Sequence, residues 1–384
     1  MDRSSRTEDL PVTGPRFYRP ELDWLRFVAF LLVFTVHVMP LEAGDYTAAG
    51  VPAGLAHYVL VPFARFGGHG VDLFFVLSAF LITELLLRER DALGTIHVKA
   101  FYIRRLLRIW PLYYCYVLLT FSYELAMTDN PFLYYAMTFV FVGNWYAVLW
   151  GEIPTITGHL WTISVEEQFY LVWPLLIRWT RPTVLLSSFV GLFLCSTLYR
   201  LVVTIDAPDF NVAAHQSTIT RMDCFALGGM LAYGLHRWPA SFPAAARCGM
   251  IAAGVSMFAL VAAGRGFLVG IPVTWMYSCA ATGSMLLVAS AATAPPRTYT
   301  SRLLRGIAYL GKISYGLYIW HIIAGRTSQY LLAQVTLTPS VRLVAHMVLS
   351  AAVVLALAAI SYAVLEKPFL RIKERFAFVK SRPV

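Results

Sequence analysis

The sequence predicts an all-α, polytopic transmembrane helical bundle of about ten spanning helices, with one further re-entrant or peripheral apolar segment. Three observations predict it. The chain of 384 residues is 58% hydrophobic and 14% charged, whereas soluble domains run at about 45–50% apolar and about 25% charged. Its mean hydropathy is +0.64. Its apolar stretches follow one another with short polar loops between them, and in lipid a helix is the one element that satisfies its backbone within a single such stretch. This pattern reads as one membrane domain, 21–366, between a cytoplasmic N-terminal tail, 1–20, and a basic cytoplasmic C-terminal tail, 367–384.

Taken in order, the polar start carries Arg3, Arg6, Arg16 and Arg19 and runs into an apolar segment with no small-residue cleavage site. Helix 1 is therefore expected to be an uncleaved anchor with its N-terminus inside. Spanning helices are expected at about 21–39, 70–88, 108–127, 168–178, 183–204, 221–236, 249–265, 272–292, 307–325 and 342–365. The segment 132–149 is also apolar enough to span. Were it to cross, the Arg178–Arg181 loop, the Arg237/Arg247 loop, the 293–306 loop and the basic C-terminus would lie outside; as a re-entrant or peripheral segment it puts all four inside. The positive-inside rule selects the second arrangement, with both ends cytoplasmic. Trp24, Trp110, Trp145, Trp150, Trp179 and Tyr199 stand near expected helix ends, where interfacial belts form.

A net charge of +10 raises nucleic acid as a partner, but the basic residues gather in the tails and in 88–108 and 293–306. That is the distribution of cytoplasmic loops, and it excludes a nucleic-acid reading in favour of the lipid bilayer. Cys115, Cys195, Cys224, Cys248 and Cys279 are scattered without CxxC spacing, so they read as small hydrophobes and no metal site is expected.

Ionisable residues inside apolar segments are costly and are functional candidates by default. Arg26 and His37 stand eleven residues apart in the first segment, which is about 20° past three helical turns and about 16 Å of rise, so both project from one face. Each also has an ordinary reading, Arg26 as a snorkelling anchor and His37 as a satisfied helix-end histidine. Arg105 and Arg108 share a helix face, and guanidinium forks suit phosphate oxygens, although juxtamembrane arginines also serve as topology signals. Asp72 and the run His159–Tyr170 lie nearer the outer face or the middle of the bundle. On a helix His159 and Glu166 share a face about two turns apart, and Glu166 and Glu167 can orient a histidine and stabilise its cation.

The order and spacing of these segments resemble the acyltransferase 3 family, integral membrane proteins that O-acylate sugars and other hydroxyl-bearing acceptors. The matching stretches are Arg26 followed by His37; Gly70 to Ile82; Phe101-Tyr102-Ile103-Arg104-Arg105 through Arg108 to Pro111; and His159-Leu160-Trp161-Thr162-Ile163-Ser164-Val165-Glu166-Glu167-Gln168-Phe169-Tyr170. Later come Arg221-Met222-Asp223 with Gly228, Ser314-Tyr315-Gly316-Leu317-Tyr318-Ile319-Trp320-His321, and Glu366-Lys367-Pro368. Family members commonly have Ser-Gly-Phe where this chain has Ser78-Ala79-Phe80, and often Gly in place of Trp24. The added methyl at 79 bears on the packing of a close helix contact. No hydrolase-like extra domain is read in the chain, so acceptor selection is expected in the outer loops 40–69, 128–167, 205–220 and 326–341.

The resemblance implies a chemistry that joins the two faces. Cytoplasmic acyl-coenzyme A, with acetyl the default acyl group, is the expected co-substrate; no tightly bound cofactor is expected. Arg105 and Arg108, with Arg26, are the expected grip on its phosphates. A histidine with an ordinary pKa of about 6.5 can take a hydroxyl proton at neutral pH, so His37 is the expected general base, with Glu166 or Glu167 its orienting partner. Asp72, His159, Ser314 and His321 are the expected substrate contacts, His321 having a core reading beside it.

The expected acceptor is a hydroxyl of a cell-surface glycan sugar, the alternative a secondary metabolite such as a macrolide sugar, in a bacterial cytoplasmic membrane. A secondary transporter is the rival of another class, but it would show related halves interrupted at corresponding positions, and none are visible. A lipid-binding scaffold would explain the basic loops yet give His37, Asp72, Glu166 and His321 no purpose.

Overall fold

The computed structural model describes residues 17–127, 132–151, 156–205, 212–264, 273–295 and 301–379, and the described residues contain helices and loops and no strand. The expectations that rest on 1–16, on the loop around 296–300, on 380–384 and on parts of the outer loops lie outside the described residues.

Helix α1, Pro20–Val38, starts on a proline whose missing N–H costs nothing at that position, with Glu21 and Asp23 in the first turn and His37 in the last, as the helix dipole favours. Helix α2, Gly70–Leu93, ends at Gly94, which takes the left-handed conformation at φ +70°. It is buried nearly all round and packs on α1. The later helices are α3, Val98–Met127; α4, Phe132–Phe139; α5, Gly143–Trp150; α6, Trp161–Trp179; α7, Pro182–Thr204; α8, Thr218–Arg237; α9, Ala244–Gly264; and α10, Val273–Ala292. After them come α11, Arg302–Lys312; α12, Ser314–Ala333; α13, Pro339–Ser361; and α14, Lys367–Lys373, reached through a wide helical turn at Tyr362–Glu366.

Small residues set the closest approaches. A Cβ on Gly70 would meet Ala29 O of α1 at 2.4 Å, and one on Gly228 would meet Val76 O at 2.5 Å and Ala79 Cβ at 2.8 Å. Ala79 is thus accommodated because α8 presents a glycine to it. The outer flanks are apolar and exposed, with Leu118 and Leu119 on α3, Leu171 and Val172 on α6, and Val348 on α13 facing outward. A surface of that kind fits acyl chains rather than water.

Several expectations change. Among the described residues four segments are long and apolar enough to cross a membrane by length and composition: Ala53–Leu93, Pro182–Thr204, Ala244–Ala263 and Pro339–Phe376. Ten crossings are therefore not established: α1, α3, α6 and α8, which carry the charged motif residues, are not marked as spans by length and composition. The loop 40–69 contains helical turns, including Ala43–Ala48 and Val61–Phe66. The expected helix 307–325 is two elements broken at Ile313, and α3 begins at Val98, so Arg104, Arg105 and Arg108 lie within it. The segment 132–149 is two eight-residue helices, α4 and α5, joined by a turn in which Phe141 has φ +59°. Each is about 12 Å long, short of the roughly 30 Å hydrocarbon core. Within the expected C-terminal tail, residues 367–376 form helix and turn, with α14 against α3.

Candidate active site

The N-terminal residues Phe17–Arg19 and the C-terminal helix α14 meet at one end of the bundle, and a cavity opens between them. Its volume is about 170 Å³. Six cations line it, Arg19, Arg26, Arg105, Arg108, Lys312 and Lys373, against two carboxylates, Asp23 and Glu166. All three residues expected to grip phosphates are therefore in one cavity, brought there by α1 and α3.

Their surroundings differ. Arg26 Nη1 is 2.6 Å from Asp23 Oδ1, one turn earlier on α1. Arg105, three residues from Arg108 on α3, places its guanidinium 5.4 Å from the Phe101 ring centre and 5.5 Å from that of Tyr170. Arg104 turns away, pairing with Glu89 at 2.9 Å and donating to Phe376 O at 2.7 Å, so it ties the C-terminal segment to the bundle. Glu166 hydrogen-bonds Ser78 and Tyr170 and faces Arg108 and Arg105. The Ser78 and Tyr170 hydroxyls are 2.8 Å apart. Ser314, at the start of α12, is a buried part of the same wall.

The wall also holds Thr162 and Tyr318, whose hydroxyls lie 2.7 Å apart, Tyr318 also donating to His159 O at 2.8 Å. Behind Tyr318 stand three histidines from three elements. The His321 ring lies edge-on to His37 at 4.7 Å between centres and to His159 at 4.9 Å. Backbone carbonyls fix their tautomers, because a carbonyl can only accept. His37 Nδ1 donates to Val33 O at 2.8 Å, His321 Nδ1 to Tyr318 O, and His159 Nε2 to Ile319 O at 3.2 Å. In the neutral rings this leaves a lone pair on His37 Nε2, His321 Nε2 and His159 Nδ1. His321 and His159 are buried, while His37 is exposed. Among the described residues no group of three or more His, Cys, Asp or Glu side chains is placed to hold a metal ion.

The expected site residues thus fall into four places. Arg26, Arg105, Arg108, Glu166 and Ser314 line the cavity; His37, His159 and His321 form the cluster behind Tyr318. The ring beside His37 is His321, and neither Glu166 nor Glu167 is placed as its partner. Glu167, the next residue on α6, turns its Oε2 to Trp110 Nε1 at 3.4 Å. Asp72 lies apart from both places, buried with one oxygen at 2.5 Å from Arg221 Nη2 and the other at 2.9 Å from His69 Nδ1. It holds α2 to α8. Thr162, Tyr318, Lys312 and Lys373 escaped the sequence reading. Tyr318 was findable, since it lies four residues after Ser314 and three before His321 on one helix face.

The acyltransferase domain family, acyltransferase 3, matches residues 19–363, so the chain belongs to that family of enzymes that transfer acyl groups. It is similar to the peptidoglycan O-acetyltransferase OatA of Listeria monocytogenes, 27% identical over 71% of this chain and 47% of that protein. It is similar to the O-acetyltransferase OatA of Staphylococcus aureus, 29% identical over 69% of this chain and 47% of that protein. A putative O-acetyltransferase of the same species, SAS0844, is 25% identical over 79% of this chain and 50% of its own length. The chain spans about half the length of these curated relatives. No solved structure matches it.

Proposed function

We propose that the protein is a membrane O-acetyltransferase that takes acetyl from cytoplasmic acetyl-coenzyme A and passes it to a hydroxyl of a cell-surface glycan sugar in a bacterial cytoplasmic membrane. The names of the relatives, one of them a peptidoglycan enzyme, favour a cell-wall sugar as the acceptor. The observation that carries the reading is a cation-lined cavity on one side of Tyr318 and an exposed imidazole with an open Nε2 on the other.

In this reading the donor phosphates stay among the arginines, and the pantetheine arm runs toward Ser314, Thr162 and Tyr318. Tyr318 turns aside to join the cavity to the histidines. His37 Nε2 takes the acceptor hydroxyl proton while the oxygen attacks the thioester carbonyl. The C–S bond then breaks, and the sulfur leaves with that proton as free thiol. His321, with its ring edge against His37, replaces a carboxylate as the group that fixes the base. Its buried Nε2 has no hydrogen-bond partner among the described residues, which makes it a place to share the proton.

Purified protein should move label from radioactive acetyl-coenzyme A to glycan fragments, and His37→Gln should keep donor binding yet lose transfer by about 10²–10⁴-fold. The amide can replace a hydrogen bond but has no basic nitrogen. Near wild-type turnover by that variant would rule out His37 as the base.

A further inference from the structure

The cavity at Tyr318 is too small for a whole nucleotide-bearing thioester. Sites for ligands of that class run at about 300–1,000 Å³, and this one measures about 170 Å³, room for a thioester arm alone. A second cavity of about 560 Å³ lies beside it, walled by α2, the end of α8 and the end of α10. Phe17 and Arg19 line both. The segment Phe17–Arg19 is therefore the partition between them.

Two contacts hold the partition in place. Arg88 sets its guanidinium 4.6 Å from the centre of the Phe17 ring and is itself fixed by Glu84, whose Oε1 accepts from Arg88 Nε at 2.6 Å. Arg19 Nη1 donates to Ala294 O at 2.6 Å. Phe17 is only partly buried, so its ring gives surface to the cavities.

The two linings differ in kind. The first gathers Arg26, Arg105 and Arg108, and guanidinium forks suit phosphate oxygens. The second has apolar walls in Phe80, Leu235, Pro239 and Ala292, and its charges are balanced within it. His236 Nε2 lies 2.7 Å from Asp91 Oδ2, and His236 Nδ1 lies 3.4 Å from Oε2 of the buried Glu84. A carboxylate oxygen can accept two hydrogen bonds, so Glu84 Oε2 has a lone pair for a further donor. An aromatic ring, apolar walls and a buried carboxylate fit a flat base with an exocyclic amine better than they fit a phosphate.

We propose that the second cavity is the adenine subsite of the donor: the base stacks on Phe17, its amine donates to Glu84, and the linked phosphates pass Arg19 into the arginine-lined cavity. This rests on the acyl-coenzyme A reading above. The site thereby selects thioesters of coenzyme A over thioesters of phosphopantetheine, which has the same arm and no nucleoside.

The test is titration calorimetry on the full chain in lipid nanodiscs, with coenzyme A and 4′-phosphopantetheine as probes. Wild type should bind coenzyme A well ahead of phosphopantetheine. Phe17→Ala should weaken coenzyme A roughly tenfold, the usual loss for a base that stacks on an aromatic ring, and leave phosphopantetheine largely unchanged. Phe17→Trp should restore the binding. Ala240→Trp fills the second cavity from a wall that the first does not share, and should likewise weaken coenzyme A alone. A wild type that binds coenzyme A no better than phosphopantetheine, or losses in both variants that are absent or equal for the two probes, would overturn the subsite; a wild type that binds neither probe would overturn the donor reading itself.

Discussion

Two pairs of arginines stand in this bundle, and they do opposite things. Arg105 and Arg108 line an open cavity and face one of its two carboxylates, Glu166, which also hydrogen-bonds Ser78 and Tyr170. Arg200 and Arg221 are fully buried and each has an aspartate of its own, Asp223 for Arg200 and Asp72 for Arg221, with Tyr277 stacked 5.3 Å and 4.7 Å from the two guanidiniums. Arg200 also donates to Thr220 O and Thr274 O. The difference teaches that intramembrane charge by itself marks cost, not function. A charge whose partners are all protein closes a helix interface; a charge that faces open space is left for a ligand.

The largest expected effect comes from breaking the closed pair. Arg221→Met takes from the buried Asp72 its guanidinium and leaves it His69, and should cost about 3–5 kcal/mol of stability. Asp72→Leu in the same chain should recover a large part of it. Thermal unfolding in detergent reads both, and transfer per folded molecule should stay close to wild type. Loss of transfer without a change in unfolding would restore Asp72 to substrate binding and erase the contrast between the two pairs.

How much of this was legible in the sequence follows the same division. The shared face of Arg26 and His37 needed only helical periodicity, and α1 delivers it in one unbroken helix from Pro20 to Val38. The histidine cluster was legible in its members but not in its assembly, since His37, His159 and His321 meet across elements far apart in sequence. Pairing Glu166 with His37 failed for that reason: periodicity says which face a residue shares, never which helix comes to meet that face. Asp72 was read as a site because its partner Arg221 lies 149 residues away. The apolar pattern marks α3 only from about 108, whereas the helix begins at Val98 and Arg104 pairs with Glu89 across the preceding loop. Lys373 gave no signal, since the basic C-terminus looks like a topology tail until α14 is seen against α3.

A smaller effect tests the open pair. Arg105→Gln or Arg108→Gln alone removes a charged hydrogen bond worth roughly 1.5–3 kcal/mol to the bound donor, so KM for acetyl-coenzyme A should rise about 10–150-fold. Unfolding should move little, because both side chains line the open cavity. A large drop in melting temperature with unaltered KM would place these arginines in the same class as Arg221.

The smallest effect probes the spacing on which the closed pair depends. Asp72 and Ala79 are on α2, Arg221 and Gly228 on α8, and both pairs are seven residues apart, so the salt bridge and the glycine contact occupy one interface about two turns from each other. A methyl on Gly228 would strike Val76 O and Ala79 Cβ at 2.5 and 2.8 Å. Gly228→Ala should therefore push the helices apart and cost about 1–3 kcal/mol, the usual range for overpacking. Adding Ala79→Gly removes one of the two clashes and leaves the other with backbone, so it should return part of the loss and not all of it. The same replacement of Ala79 in the wild-type chain should gain nothing, because Gly228 already makes room. Full recovery would mean that the side chain at 79 alone sets the spacing; an unchanged melting temperature in Gly228→Ala would show that α2 and α8 are held by their ion pair and not by close backbone approach.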